Sequence, residues 1–184
     1  MQRRNILVVG AGPVGSVAAL AAARLGHSVT LLEARARIDD SPRASTTQPP
    51  TLEILAELGL IDEYIRVGLV ARTFEFWDRP TLQRIAVFDF ERLRGETDFP
   101  FVVQTEQHKL ANMALERLRG MANAQVLLGT PVTQIDQDEE QVTVSAGRSI
   151  SSPTTSSAPT AAAARCASAW ASSSRATPGP SGFS

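Results

Sequence analysis

Three glycines and one glutamate carry the most specific chemistry in this sequence. The stretch "VVGAGPVG" sets Gly10, Gly12 and Gly15 in the spacing G-x-G-x-x-G, and Glu33 closes "SVTLLE" 18 residues after Gly15. Gly10 permits a tight turn, Gly12 lets a diphosphate approach the backbone, and Gly15 lets the following helix pack close to a sheet. The free N–H groups at the start of that helix then face the anion. A carboxylate at the end of the second strand accepts hydrogen bonds from a ribose diol. Its charge also disfavours a 2′-phosphate, and so NADP. The chemistry is dinucleotide binding, and this unit alone does not distinguish FAD from NAD.

The other reactive side chains give no comparable pattern. Cys166 is the single cysteine, so no disulfide forms within the chain, and no Cys/His cluster suggests a metal site. His27 and His108 are far apart in sequence, with no obvious nucleophile partner, and are read as surface or helix-end residues. No catalytic residue is assigned.

The elements that must hold the glycines read clearly. "ILVV" is a continuous aliphatic run, as in a buried parallel strand. Val14, Val17, Ala18, Ala21 and Leu25 then fall at helical spacing and predict one apolar stripe, Gly26 ends the helix, and "SVTLLE" is a second strand. After Glu33 a long polar loop, "ARARIDDSPRASTTQPP", leads to two short helical patterns, "TLEILAELGL" and "IDEYIRVG". A loop of that length inside a domain is usually functional or disordered. Arg43 within it is a candidate anion contact, balanced by the alternative of a solvated loop arginine.

Alternation on both sides of "DRP" predicts an antiparallel hairpin near residues 71–77 and 82–89, with Trp77 and the phenylalanines packing a sheet face. "FPFVVQ" is a strand cue. In "TEQHKLANMALERLRG" the residues Leu110, Met113, Ala114, Leu115 and Leu118 form a buried helical stripe that Gly120 stops. "AQVLLG" is a further buried strand, and "TPVTQIDQDEEQVTVSAG" is a hairpin turning at 138–140.

Composition sets bounds on function. The 184 residues, 43% of them apolar, suffice for one domain with a modest core. A net charge of −1 with both signs interspersed argues against a nucleic-acid partner. The apolar run "SVAALAAARLG" is too short to span a bilayer, and "ILVVG" is too short for a signal-peptide core. A cytoplasmic location, with no membrane association, is the expectation.

Four stretches in order, "VVGAGPVG", "LLEAR", "PRASTTQPPTLEILAELGL" and "QTEQHKLANMALERL", give the sequence a family likeness. It resembles the N-terminal part of class A FAD-dependent aromatic monooxygenases, the p-hydroxybenzoate and phenol hydroxylase group. Within that group "FDF…FPFVVQTEQHKL" looks most similar to 3-(3-hydroxyphenyl)propionate hydroxylases, and the likeness covers about residues 4–148. The implied fold is α/β, a Rossmann-like FAD-binding domain of the GR2 type with an antiparallel β-hairpin insertion, over residues 1–150 and incomplete. The resemblance implies FAD on Gly10, Ala11, Gly12, Pro13, Val14 and Gly15, and on Glu33, Ala34 and Arg35 near the adenosine ribose. It also assigns Arg43 and Gln104 to FAD contacts. The implied reaction draws on NAD(P)H and oxygen to hydroxylate a small phenolic substrate. The alternatives are an NAD-dependent dehydrogenase domain, disfavoured by the long loop after Glu33, and a non-catalytic nucleotide-binding or partner module.

Residues 151–184 are of another kind: 27 of these 34 are Ser, Ala, Pro or Thr. The chain has 17 arginines and one lysine, Lys109, as a GC-rich gene would give. Shifting the reading frame lets the codons for Ser152 to Ala161 encode "IADYVVGADG", a stretch the resembled family carries at this point. The tail is therefore expected to be out-of-frame translation and disordered, against the alternative of a natural linker. An incomplete domain of this kind is expected to be inactive by itself. Sequencing the gene across Arg148–Ser152 tests the frame.

Overall fold

The strand Asn5–Val9 (β1) turns at Gly10 into the helix Pro13–Arg24 (α1) and returns as Ser28–Leu32 (β2), parallel to β1 from Asn5↔Ser28 to Val9↔Leu32. This computed structural model describes residues 2–41, 45–139, 141–147 and 149–153. The chain continues through a short strand Thr46–Thr47 (β3), the helices Pro49–Glu57 (α2) and Ile61–Val67 (α3), and the strand Leu69–Ala71 (β4). Strands Thr73–Asp78 (β5) and Gln83–Asp89 (β6) form a hairpin, followed by a 3-10 turn at Phe90–Leu93. Then come Val102–Gln104 (β7), the helix Gln107–Arg119 (α4) and Ala124–Leu127 (β8). Last are Gln134–Gln137 (β9), Gln141–Ser145 (β10) and Ser149–Pro153 (β11).

Two small sheets position the candidate site. The parallel sheet runs β1-β2-β8, with β8 pairing β2 from Val29↔Ala124 to Leu32↔Leu127. An antiparallel sheet places β7 between β3 and β4. The core lies where α1 and α4 cover the parallel sheet: Leu20, Leu31, Leu115 and Leu118 are fully buried, and α2 and α3 add Leu52, Leu55, Leu60 and Tyr64. The α/β architecture and the hairpin insertion agree with the sequence. So does the stripe on α4, where Leu110, Met113, Ala114, Leu115 and Leu118 are all buried.

Helix α1 corrects the expected stripe. Its buried residues are Ser16, Ala19, Leu20 and Ala23, whereas Val14 is 82% and Leu25 59% exposed. Ala18 is also exposed; Val17 and Ala21 flank the core. The buried face of the helix is made mostly of small residues, and the buried Ser16 hydroxyl is satisfied internally by donating to the Ala11 carbonyl at 2.9 Å. Hydropathy alone does not mark that serine as buried.

The aromatic hairpin also departs from expectation. Phe74, Phe76 and Phe88 pack edge-to-face or tilted against one another, with centroids 4.9 to 6.4 Å apart. Each nevertheless stays about half exposed (49%, 48% and 55%), and among the described residues β5 pairs only with β6. An uncovered apolar face of this kind promotes association. Phe76→Ser combined with Phe88→Ser should reduce self-association in sedimentation and leave the melting temperature of the core unchanged. Ala71, expected in the hairpin, ends β4 instead, because β4 pairs with β7. The "DQDEE" turn is as read: the Asp138 amide donates to Gln141 O at 3.0 Å.

β11 carries the ladder with β10 to Pro153. The remainder, residues 154–184, lies outside the described residues.

Asn123 joins the end of α1 to the parallel sheet. Its side-chain amide donates to Ala23 O at 2.8 Å and His27 O at 2.7 Å, and its backbone carbonyl accepts the Val29 amide at 2.9 Å. Asn123→Ala removes a donor from the partly buried His27 carbonyl, while Ala23 O keeps the Gly26 amide, and we expect about 1 kcal/mol of lost stability in a urea titration.

Candidate dinucleotide site

The turn between β1 and α1 is fixed by three different constraints on its glycines. Gly10 has φ of +97°, a conformation that side chains resist, and its amide donates to Leu32 O at 2.7 Å, tying the turn to β2. Gly15 is required by packing: a Cβ there would lie 1.9 Å from Gly10 O. Gly12 is required by neither. Its φ of −65° and ψ of 177° suit any residue, and a Cβ would meet nothing within 4 Å. Space that the protein itself leaves unfilled at Gly12 fits a ligand that approaches the backbone closely.

The start of α1 is prepared for an anion. Gly12 is the N-cap with no side-chain cap, Pro13 occupies the first turn without an N–H, and that turn holds no acidic residue. The amides of Gly12, Val14 and Gly15 have no hydrogen-bond partner among the described residues. The positive end of the helix dipole adds to their pull on a diphosphate.

Glu33 stands beside this turn. Its Oε2 accepts the Ala11 amide at 2.8 Å, and its Oε1 accepts the Arg35 amide at 3.0 Å. Ala34 and Arg35 are exposed next to it, and the Arg35 guanidinium pairs with Asp39. Hydrogen bonds from Ser41, aided by Arg35, hold the Asp39 carboxyl well below the usual carboxylate range. Arg35, Ala36, Arg37, Ile38, Asp39 and Asp40 line a concavity of about 400 Å³.

The structure thus brings together Gly10, Ala11, Gly12, Pro13, Val14, Gly15, Glu33, Ala34 and Arg35. Arg43 lies outside the described residues. Gln104 belongs to a second cluster, exposed at the end of β7, with Thr46 on one side and Leu69 on the other. The Thr105 amide donates to Ser45 O at 2.8 Å, so the chain leaving the long loop is held against the Gln104 end of β7. Tyr64 secures the same place from α3, with its hydroxyl 2.7 Å from Thr47 Oγ1, and burial pushes its phenol pKa up. Ser16, Tyr64 and Asn123 were missed as site supports. A lone serine within an Ala/Val/Leu helix was the available signal for the first.

Glu106 opens α4 two residues after Gln104. The Lys109 ammonium, 2.7 Å away, is the main cause that holds its carboxyl down from 4.5 to about 2. A depressed carboxyl favours the folded state above its ordinary value, and that contribution is lost as pH falls from 4.5 toward 2. Glu106→Gln should flatten the acid titration of stability in that window. The effect is small and fades in high salt, because the pair is exposed.

Comparison with known proteins follows the same lines. The chain matches a family described as FAD binding domain over residues 3–162. It is 31% identical over 145 residues to 6-hydroxy-3-succinoylpyridine 3-monooxygenase of Pseudomonas putida (strain DSM 28022 / S16), covering 79% of this chain and 37% of that protein. Para-nitrophenol 4-monooxygenase of Pseudomonas sp. (strain WBC-3) is 30% identical over 140 residues, covering 76% of this chain and 34% of its own. The crystal structure of p-nitrophenol 4-monooxygenase from Pseudomonas putida DLL-E4 superposes with a TM-score of 0.73 at 31% identity, over 81% of this chain and 38% of that one. The chain spans little more than a third of the length of these relatives.

Proposed function

The chain belongs to the FAD binding domain family, and from that premise we propose that it is the FAD-holding portion of a monooxygenase that hydroxylates a small aromatic substrate with NAD(P)H and oxygen. The observation that carries this reading is the room at Gly12, beside three unpartnered amides at the start of α1. Gly12, Val14 and Gly15 would donate to the diphosphate, and Glu33 has lone pairs left for the adenosine ribose diol. Bound FAD would supply the redox chemistry, taking hydride from NAD(P)H and activating oxygen. Ala34 and Arg35 border the ribose end, and Arg43 and Gln104 are proposed as further contacts. Support for the substrate class comes from the relatives, which are named for a hydroxylated pyridine and for nitrophenol.

Among the described residues no helix is long and apolar enough to cross a membrane. We place the protein in the cytosol, without a nucleic-acid partner, on its balanced charge.

FAD titration of the purified protein tests the reading. A retained yellow complex, with quenched flavin fluorescence and a raised melting temperature, is the expected result. Preferential binding of NAD, or of no nucleotide at all, would overturn it and favour the dehydrogenase or partner-module alternative.

A further inference from the structure

We propose that Glu33 is also a positioning residue for the diphosphate turn, holding its shape before any nucleotide arrives. The proposal deepens the FAD-site reading but rests on it only for the ligand arm of the test. The two carboxylate oxygens are divided between two backbone amides. Oε2 accepts from Ala11 at 2.8 Å, across 22 residues of sequence, and Oε1 accepts from Arg35 at 3.0 Å.

Ala11 lies between Gly10 and Gly12. Its side chain is fully buried, and its carbonyl accepts the Ser16 hydroxyl at 2.9 Å. With its amide on Glu33, every polar group of Ala11 is satisfied inside the protein. The Gly10 amide is likewise used, by Leu32 O at 2.7 Å. The bond to Glu33 therefore sorts the donors of the turn: Gly10 and Ala11 point inward, and Gly12, Val14 and Gly15 remain for the anion. Ala11 thus shapes the site and does not donate to the ligand.

The brace also answers an electrostatic difficulty. A bare carboxylate next to a diphosphate repels it. Two charge-assisted N–H bonds spread that charge into the backbone and are stronger than neutral ones. They leave the outer lone pairs of the carboxylate for a diol. Gly10 and Gly12 supply no side-chain contacts of their own, so the Ala11 amide adds a second tie beside the Gly10 bond to Leu32.

Amide hydrogen exchange and thermal melting of the nucleotide-free protein test this, using Glu33→Ala, Glu33→Asp and Glu33→Gln. Exchange at Ala11 should accelerate about tenfold in Glu33→Ala, matching loss of about 1.4 kcal/mol of local protection. Glu33→Asp, one methylene shorter, should behave the same way while keeping its charge, and it stands in if the alanine variant does not fold. Glu33→Gln should keep exchange at Ala11 near wild type, because its one carbonyl oxygen can still accept that amide, while the Arg35 amide loses its acceptor. FAD affinity should then fall in the order wild type, Gln, Ala.

Wild-type exchange at Ala11 and an unchanged melting temperature in both Glu33→Ala and Glu33→Asp would confine Glu33 to the ligand and overturn the proposal. Equal acceleration in Glu33→Gln and Glu33→Ala would overturn it as well. If wild type binds no FAD yet Glu33→Ala still releases the Ala11 amide, the brace stands and the FAD reading fails.

Discussion

Gly15→Ala should weaken FAD binding by about two orders of magnitude and lower the unfolding free energy by about 3 kcal/mol. The added Cβ would sit 1.9 Å from Gly10 O and 3.1 Å from Gly10 C. Both are backbone atoms, so no rotamer change relieves the contact. Relief must come from moving α1 off the sheet or from reshaping the turn at Gly10. The first strips contacts from Leu20 and Ala23 in the core. The second breaks the Gly10 bond to Leu32 and with it the link from turn to β2. Urea unfolding reads the stability change, and FAD titration reads an affinity loss of about two orders of magnitude if the same energy is charged to binding. A variant with wild-type stability would show that the close approach of α1 to the turn is not a feature of the protein.

Gly12→Val separates binding from folding. The position has ordinary extended backbone angles and no atom within 4 Å of a built Cβ. The melting temperature should therefore stay within about a degree of wild type, as for surface changes. FAD affinity should nevertheless drop by about a hundredfold or more, because a branched side chain fills the space a diphosphate needs. Two glycines three residues apart would then fail for opposite reasons, one through the fold and one through the ligand. Unchanged FAD affinity in Gly12→Val would place the anion elsewhere.

Local pattern carried most of the parallel unit and of the α4 stripe. "ILVV" and "SVTLL" both form strands of the parallel sheet, but only β2 buries its aliphatic residues, Val29, Leu31 and Leu32; β1, expected to be buried, is half-buried at Ile6, Leu7 and Val8 and exposed at Val9. Helix α4 carries charge on one side and leucine on the other, so its phase is plain. Helix α1 has no such contrast. Nearly every residue is small or aliphatic, and what sets its buried face is the steric need for Ser16, Ala19 and Ala23 at the close approach. Hydrophobicity is blind to that.

Long-range pairing was equally hidden. β3 is two residues long, and its partner β7 lies more than fifty positions on, so neither propensity nor periodicity could join Thr46 to Gln104. The place of Glu33 at the end of a strand marks it as a candidate ribose acceptor. Its bond to Ala11 depends on how far the turn folds back over β2, which spacing does not encode.

The middle strand of the parallel sheet gains its second neighbour only from Ala124–Leu127. During synthesis, β1, α1 and β2 leave the ribosome with one flank of β2 bare and the inner face of α1 waiting for α4. Closing that long span carries a large loop entropy and makes assembly slow. The first part of the nucleotide cradle to be translated is thus among the last to become rigid, and a nascent chain halted before Leu127 offers chaperones a sticky hairpin-helix fragment in place of a cofactor site.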